Sequence, residues 1–190
     1  RVFDSWRRFN PLDRLLTRVL DNTFNWAIPL ALETGRIRVE VPFAAHIDQF
    51  IPGLAGSQDF LGVNYYTRDL VMFTGPALSR DSLKVNPGAA VTDLGWEIYP
   101  EGLYRVLRSI HGFIPDKPIV ITENGLADAT DSRREAFLFS HLKQLKRAML
   151  AGVPVEGYCY WSLLDNFEWS EGFAPRFGLY SVDYVNGFRR

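Results

Sequence analysis

A single cysteine, Cys159, stands among 190 residues. No disulfide can form within the chain, and a reducing, cytoplasmic compartment fits. Cys159 lies in an apolar run, where a buried, inert thiol is expected. No stretch approaches the roughly 20 apolar residues of a membrane span. The start, Arg1-Val2-Phe3-Asp4-Ser5, is not a signal peptide and carries no initiator Met. No membrane partner is therefore expected. No basic run occurs, the formal net charge is -1 and the sequence pI is near 6.4, so nucleic acid is not an expected partner either. The three histidines, His46, His111 and His141, are too dispersed to suggest a metal site. No metal or cofactor is expected, and His141 reads as packing on its helix. Neither G-x-G-x-x-G nor G-x-x-x-x-G-K is present, which argues against a doubly wound nucleotide-binding sheet.

What is present in excess is aromatic. Rings make up 14% of residues, with five Trp, eight Tyr and fourteen Phe. Part of that is core. Rings beside polar turns are also what sugar-binding clefts use, because a pyranose face stacks on them.

Asn10-Pro11 reads as the N-cap and first position of a helix. Its apolar stripe, Leu12, Leu15, Leu16, Val19 and Leu20, continues through Phe24, Ile28 and Leu32 to Gly35, with a kink or break expected at Pro29. Residues 37–43 and 47–56 read as irregular connection. Asp59–Tyr66 reads as a strand, and residues 67–95 as one long polar connection. Tyr99-Pro100 opens a second helix. Ile119–Thr122 is a second strand. Asp131-Ser132 reads as the cap of a third helix with Phe137, Leu138, His141, Leu142, Leu145, Ala148 and Met149 inside and Gly152 as its stop. Val155–Leu163 is a third strand, and residues 177–184 read as an extended segment. Helix and strand alternate, which predicts a parallel sheet with its strand C-termini on one face. An eight-stranded barrel needs about 250 residues. Only three clear strands are read here, so a whole barrel does not fit.

The strand ends carry the chemistry. Ile119-Val120-Ile121 is a continuous apolar run, as buried parallel strands are. It ends on Glu123, where an unpaired buried charge is costly. A lone T-E-N-G is more often a strand end turning into solvent. Here, however, Asn64 and Tyr66 end the first strand and Trp161 the third, followed by Asp165-Asn166-Phe167-Glu168-Trp169. A carboxylate among an amide, a phenol and indoles suits polyhydroxylated substrates. Glu123 can attack an anomeric carbon and later release it as a glycosyl ester, with Tyr66 orienting it. Trp161 and Trp169 taken singly read as core. The D-N-F-E turn between them weakens that reading.

I-T-E-N-G, D-F-L-G-V-N-Y-Y, G-W-E-I-Y-P-E-G-L and Y-W-S-L-L-D-N-F-E-W-S-E-G-F-A-P-R-F-G-L-Y-S-V-D-Y together resemble the family 1 glycoside hydrolases, the retaining β-glucosidases. The match runs from about Asp59 to Tyr184. The resemblance implies Glu123 as nucleophile, Tyr66 as its hydrogen-bond partner and Asn64 in support. It implies Glu168 and Trp169 on glycone hydroxyls, Trp161 as stacking platform, Phe177 lining the pocket and Trp96 near the aglycone entrance. Members acting on 6-phospho-sugars carry serine where Glu168 stands, so a non-phosphorylated β-glycoside or oligosaccharide is the implied substrate.

The family's acid/base glutamate sits in N-E-P at the end of strand four, and N-E-P is absent here. Residues 1–190 therefore resemble a single incomplete α/β domain, a part of a TIM (β/α)8 barrel with approximately strands six to eight. Glu97, Glu101 and Glu171 fit loop and helix-start bonding better than the acid/base role. Two readings follow. One is a retaining glycosidase whose acid/base comes from outside these residues. The other is an inactive barrel fragment serving as a structural or assembly unit with residual sugar binding. Either way, the exposed apolar edges predict pairing with a complementary N-terminal half or self-association.

Overall fold

The computed structural model describes residues 1–42, 44–75 and 79–186. Strand β1 (Val2–Ser5) leads into helix α1 (Pro11–Asp21), a π-helical turn (Asn22–Trp26) and helix α2 (Ala27–Thr34). Strands β2 (Arg36–Val41), β3 (Ala45–Phe50), β4 (Leu61–Asn64) and β5 (Arg68–Val71) follow. A 3-10 turn (Arg80–Ser82) precedes β6 (Leu83–Lys84). Helix α3 (Pro100–Phe113), strand β7 (Ile119–Asn124), helix α4 (Arg134–Leu150) and strand β8 (Val155–Tyr160) complete the regular elements, before a last 3-10 turn (Trp169–Glu171). They fall into two compact units. The first takes Arg1–Leu61 and Arg68–Pro87, the second Gly62–Thr67 and the chain from Gly88 onward.

In the first unit, Asn10 caps α1 as read, accepting from Leu12 N and Asp13 N. Asp13 is fully buried and takes hydrogen bonds from the Arg7 guanidinium and from Arg7 N and Phe73 N. The Arg7 bonds above all hold its carboxyl down at about 2. The helix widens at the π-turn, where Asp21 accepts from Asn25 Nδ2 at 2.7 Å and Trp26 Nε1 at 3.1 Å. The helix is divided as expected, though not at Pro29 itself: the π-turn ends at Trp26, and Pro29 falls in the first turn of α2. Gly35 ends α2 at φ 73, a left-handed conformation that favours glycine.

Residues 37–41 and 47–50 are strand rather than the irregular connection expected, whereas 51–56 is irregular as read. β2 and β3 form an antiparallel hairpin in register Arg36↔Phe50 to Val41↔Ala45. Its β2 strand, R-I-R-V-E-V, alternates in period two, and Pro42 lies in the turn rather than in a strand. The stretch 67–95 is likewise not one connection. β1 pairs parallel with β5, and β5 antiparallel with β6. Phe43 and Pro76, read as parts of those connections, lie outside the described residues.

In the second unit the sheet order is β4-β7-β8, with β7 and β8 parallel. Ile119, Ile121 and Tyr65 are wholly buried, as are Leu103 and Leu107 of α3, and Phe137 and Ala148 of α4 are nearly or fully so. Tyr65 connects the layers: its hydroxyl donates to Tyr99 O at 2.6 Å and its ring lies 6.0 Å from His141. The opposite sheet face is bare, with Gly62, Asn64, Thr122 and Cys159 all exposed.

Several sequence readings are corrected here. Cys159 is exposed because it lies on the bare face of β8. Helix α4 starts at Arg134, not at an Asp131-Ser132 cap, since Asp128 takes the Arg133 N–H that such a cap would satisfy. Leu142 and Met149 are exposed, so the inner stripe is Phe137, His141, Leu145 and Ala148. His141 is buried on its helix as read, its Nδ1 2.8 Å from Phe137 O. The strands are shorter than read: β4 stops at Asn64 and β8 at Tyr160. Residues 177–184 form no strand; Tyr180 makes an isolated bridge to Leu164.

Candidate active site

The site lies wholly in the second unit, where the chain leaves β4, β7 and β8. One amide joins the three ends. Asn124, fully buried at the end of β7, donates to Tyr65 O at 2.7 Å beyond β4 and accepts from Tyr158 Oη of β8 at 2.8 Å. Burial, then the neighbouring Tyr160, raises the Tyr158 phenol well above its ordinary value, so it stays a donor. Backbone bonds continue the pairing, from Tyr65 N to Glu123 O at 2.8 Å and from Trp161 N to Asn124 O at 3.0 Å. Next along the chain, a Cβ on Gly125 would stand 1.7 Å from Trp161 O, so only glycine lets the two chain ends approach this closely.

Glu123 is half-buried beside this junction. Tyr66 Oη donates to its Oε2 at 2.7 Å. Oε1 takes no hydrogen bond among the described residues. Burial, then the bond to Glu123, raises the Tyr66 phenol far above its ordinary value. Tyr66 therefore remains protonated and donates steadily to the carboxylate. Two rings pack edge-on against Tyr66: Trp96 at 5.7 Å and Phe177 at 6.1 Å, the latter 2% exposed. They shield the Tyr66–Glu123 pair from water on that side, which strengthens the bond.

A second carboxylate is prepared differently. Glu168 Oε1 accepts from Trp161 Nε1 at 3.0 Å and Asn166 Nδ2 at 2.7 Å. Ser162 Oγ donates to Leu164 O at 2.6 Å and lies 3.2 Å from Asn166 Oδ1. The peptide bond between Trp161 and Ser162 is cis.

Among the residues singled out from sequence, Glu123, Tyr66 and Phe177 stand together, and Trp161 and Glu168 form a bonded pair. Asn64 does not reach Glu123. It is exposed on the bare sheet face and accepts from Thr122 Oγ1 at 2.6 Å. Trp169 is 85% exposed and the structure does not bring it to Glu123. Trp96, read as part of an entrance, is a wall of Tyr66. Sequence reasoning missed the linking amide of Asn124, the bond of Asn166 to Glu168 and the bonds of Arg133 and Arg134 at the start of α4. Only the amide had a signal, as a polar residue closing an apolar strand. The described residues hold no cluster of three or more His, Cys, Asp or Glu able to bind a metal. No helix among them is long and apolar enough to cross a membrane.

A half-buried carboxylate with one oxygen held by a phenol and the other unbonded can attack an electrophilic carbon. A carboxylate fixed by an indole and an amide can receive hydroxyl protons. The chain has relatives among known proteins. The family described as Glycosyl hydrolase family 1 matches residues 38–190. A beta-galactosidase from Pyrococcus woesei is 37% identical over 172 residues, 82% of this chain and 33% of its own. Beta-glucosidase A from Thermotoga maritima is 42% identical over 135 residues, 66% of this chain and 30% of its own. The chain thus spans about a third of the length of these curated relatives. Among solved structures, a beta-glycosidase from Pyrococcus horikoshii superimposes with TM-score 0.83 at 35% identity, over 100% of this chain and 43% of that one. The Thermotoga maritima beta-glucosidase in complex with glucoimidazole gives 0.79 at 31%, over 97% and 44%. With its α/β architecture matching part of a TIM-barrel glycosidase and its strand-end carboxylate in place, the chain belongs to glycosyl hydrolase family 1.

Proposed function

We propose that the chain is the nucleophile-bearing part of a retaining β-glycosidase acting on non-phosphorylated β-glycosides. The observation that carries this is the 2.7 Å bond from Tyr66 to Glu123 at the end of β7, in a chain of this family. Glu123 attacks the anomeric carbon and forms a glycosyl ester, while the bond to the aglycone oxygen breaks. That oxygen takes a proton from an acid, and the same group, now a base, strips the water that hydrolyses the ester. Such an acid stands about 5–5.5 Å from the nucleophile. Glu168 is not that group: its Oε1 is committed to Trp161 and Asn166. The acid/base is therefore supplied from outside residues 1–190, which make one incomplete barrel domain of approximately strands six to eight.

Glu168 and Trp161 receive the glycone, and Trp169 closes on it from its exposed position. Asn64 supports the site from the bare face. A carboxylate at Glu168 repels a phosphate dianion, which favours an unphosphorylated sugar. The exposed face of β4, β7 and β8 is the barrel interior, covered in the assembled protein by a complementary N-terminal half. A cytoplasmic setting accords with the single cysteine. No metal or cofactor takes part in this scheme.

The test is mass-spectrometric mapping after reaction of the assembled glycosidase with a 2-deoxy-2-fluoro-β-glucosyl fluoride. The expected label is on Glu123, and Glu123→Gln abolishes hydrolysis of an aryl β-glucoside. A label elsewhere refutes the assignment.

A further inference from the structure

We infer that the consecutive arginines Arg133 and Arg134 are positioning residues that hold Trp96 and Phe177 against Tyr66 and so fix the Tyr66–Glu123 bond. The inference rests on the reading of Glu123 as nucleophile.

Two cations at the start of α4 are unexpected on local grounds, since a helix N-terminus favours anions. Their bonds explain them. Arg134 is 7% exposed, yet its guanidinium serves six acceptors. Nη1 donates to Leu126 O at 2.8 Å, Tyr160 Oη at 2.7 Å and Phe177 O at 3.2 Å. Nη2 donates to Asp128 O at 2.7 Å and Arg176 O at 3.2 Å, and Nε to Asp131 Oδ1 at 2.6 Å. One side chain thereby joins the loop after β7, the end of β8 and the segment carrying Phe177. Arg133 does the same on the other side. It donates to Val91 O, Asp93 Oδ1 and Asp128 Oδ1, and Asp93 Oδ2 accepts from Ala129 N. That fastens the loop bearing Trp96 to the same β7–α4 connection. Both rings meet Tyr66 edge-on, 5.7 and 6.1 Å away. Neither arginine has a bond to Glu123, so each acts through a ring.

The test is made in the assembled glycosidase with the 2-deoxy-2-fluoro-β-glucosyl fluoride, in which Glu123 displaces fluoride and no acid is required. Arg133→Met, at a partly exposed position, lowers the maximal labelling rate of Glu123 about tenfold with the half-saturating concentration within about threefold. Arg134→Lys is slower than wild type and faster than Arg134→Met, and added guanidinium restores rate to Arg133→Ala without restoring its melting temperature. Hydrogen exchange quickens at 94–98 in the Arg133 variant and at 175–179 in the Arg134 variant. Wild-type labelling rates in both Met variants overturn the inference. So does unchanged exchange in those segments, which decides the matter even if wild type is not labelled at Glu123. Missing label in wild type refutes the nucleophile reading by itself.

Discussion

The phenol of Tyr66 does its work because it cannot ionise near neutrality. Burial and the adjacent carboxylate both raise it, so its proton always faces Glu123 Oε2. A hydrogen bond to a charged group contributes about 1.5–3 kcal/mol. Tyr66→Phe in the assembled protein is therefore expected to slow glycosyl-ester formation by roughly 10- to 100-fold, read by single-turnover kinetics. An unchanged rate would show that the phenol only fills space. His141 is a second group whose state is set by burial, which pushes it down to about 4 from 6.5. Its Nδ1 faces Phe137 O and its Nε2 is buried without a partner. The folded chain binds this proton less readily than the unfolded chain. Stability is therefore intact above about pH 6.5 and falls as pH drops toward 4, by at most about 3 kcal/mol. Denaturant midpoints against pH should lose most of that acid limb in His141→Leu.

At the scale of elements, the junction of β7 and β8 is the rigid part of the site. Asn124 and Gly125 supply it, one by bonding both neighbouring strands and the other by having no side chain. With a Cβ at 1.7 Å from Trp161 O, Gly125→Ala forces the strand ends apart. The expected loss exceeds about 3 kcal/mol, seen as a lowered melting midpoint. A midpoint within a degree of wild type would contradict the close approach. The same elements show what was legible. I-T-E-N-G was readable because β7 is covered on one face by helices and its apolar run is unbroken. The α1 start was readable because Asn10-Pro11 is a local signal. The β2–β3 hairpin was not, because its alternating residues face solvent and Pro42 masks the turn. The bonds of Arg134 were not, because its acceptors are mostly backbone carbonyls, which leave no trace in side-chain pattern, nor were those of Arg133, one of whose carboxylate partners, Asp93, lies forty residues away in sequence. Cys159 was misplaced because burial was judged from neighbours in sequence, whereas a strand sends adjacent side chains to opposite faces.

At the scale of the molecule, one face of the β4-β7-β8 sheet is uncovered, and the reading of Glu123 as nucleophile calls for an acid from outside residues 1–190. Gly62, Asn64, Thr122 and Cys159 line that bare face. A segment covering it should protect Cys159, so thiol modification by a maleimide is expected to be fast in the isolated chain and slow once a complementary half is bound. Equal rates would show that this face is not where the two parts meet. Turnover follows the same logic. The isolated chain should hydrolyse an aryl β-glucoside no faster than its Glu123→Gln variant. Clear turnover would mean that an acid/base group lies within residues 1–190.

The most direct measurement of the central claim is the site of the covalent glycosyl-enzyme. After reaction with the 2-fluoro-glucosyl fluoride, peptide mapping of the assembled protein should place one fluorosugar on Glu123. The label should be absent in Glu123→Gln and slow to form in Tyr66→Phe. A label on Glu168 or any other carboxylate would contradict the account.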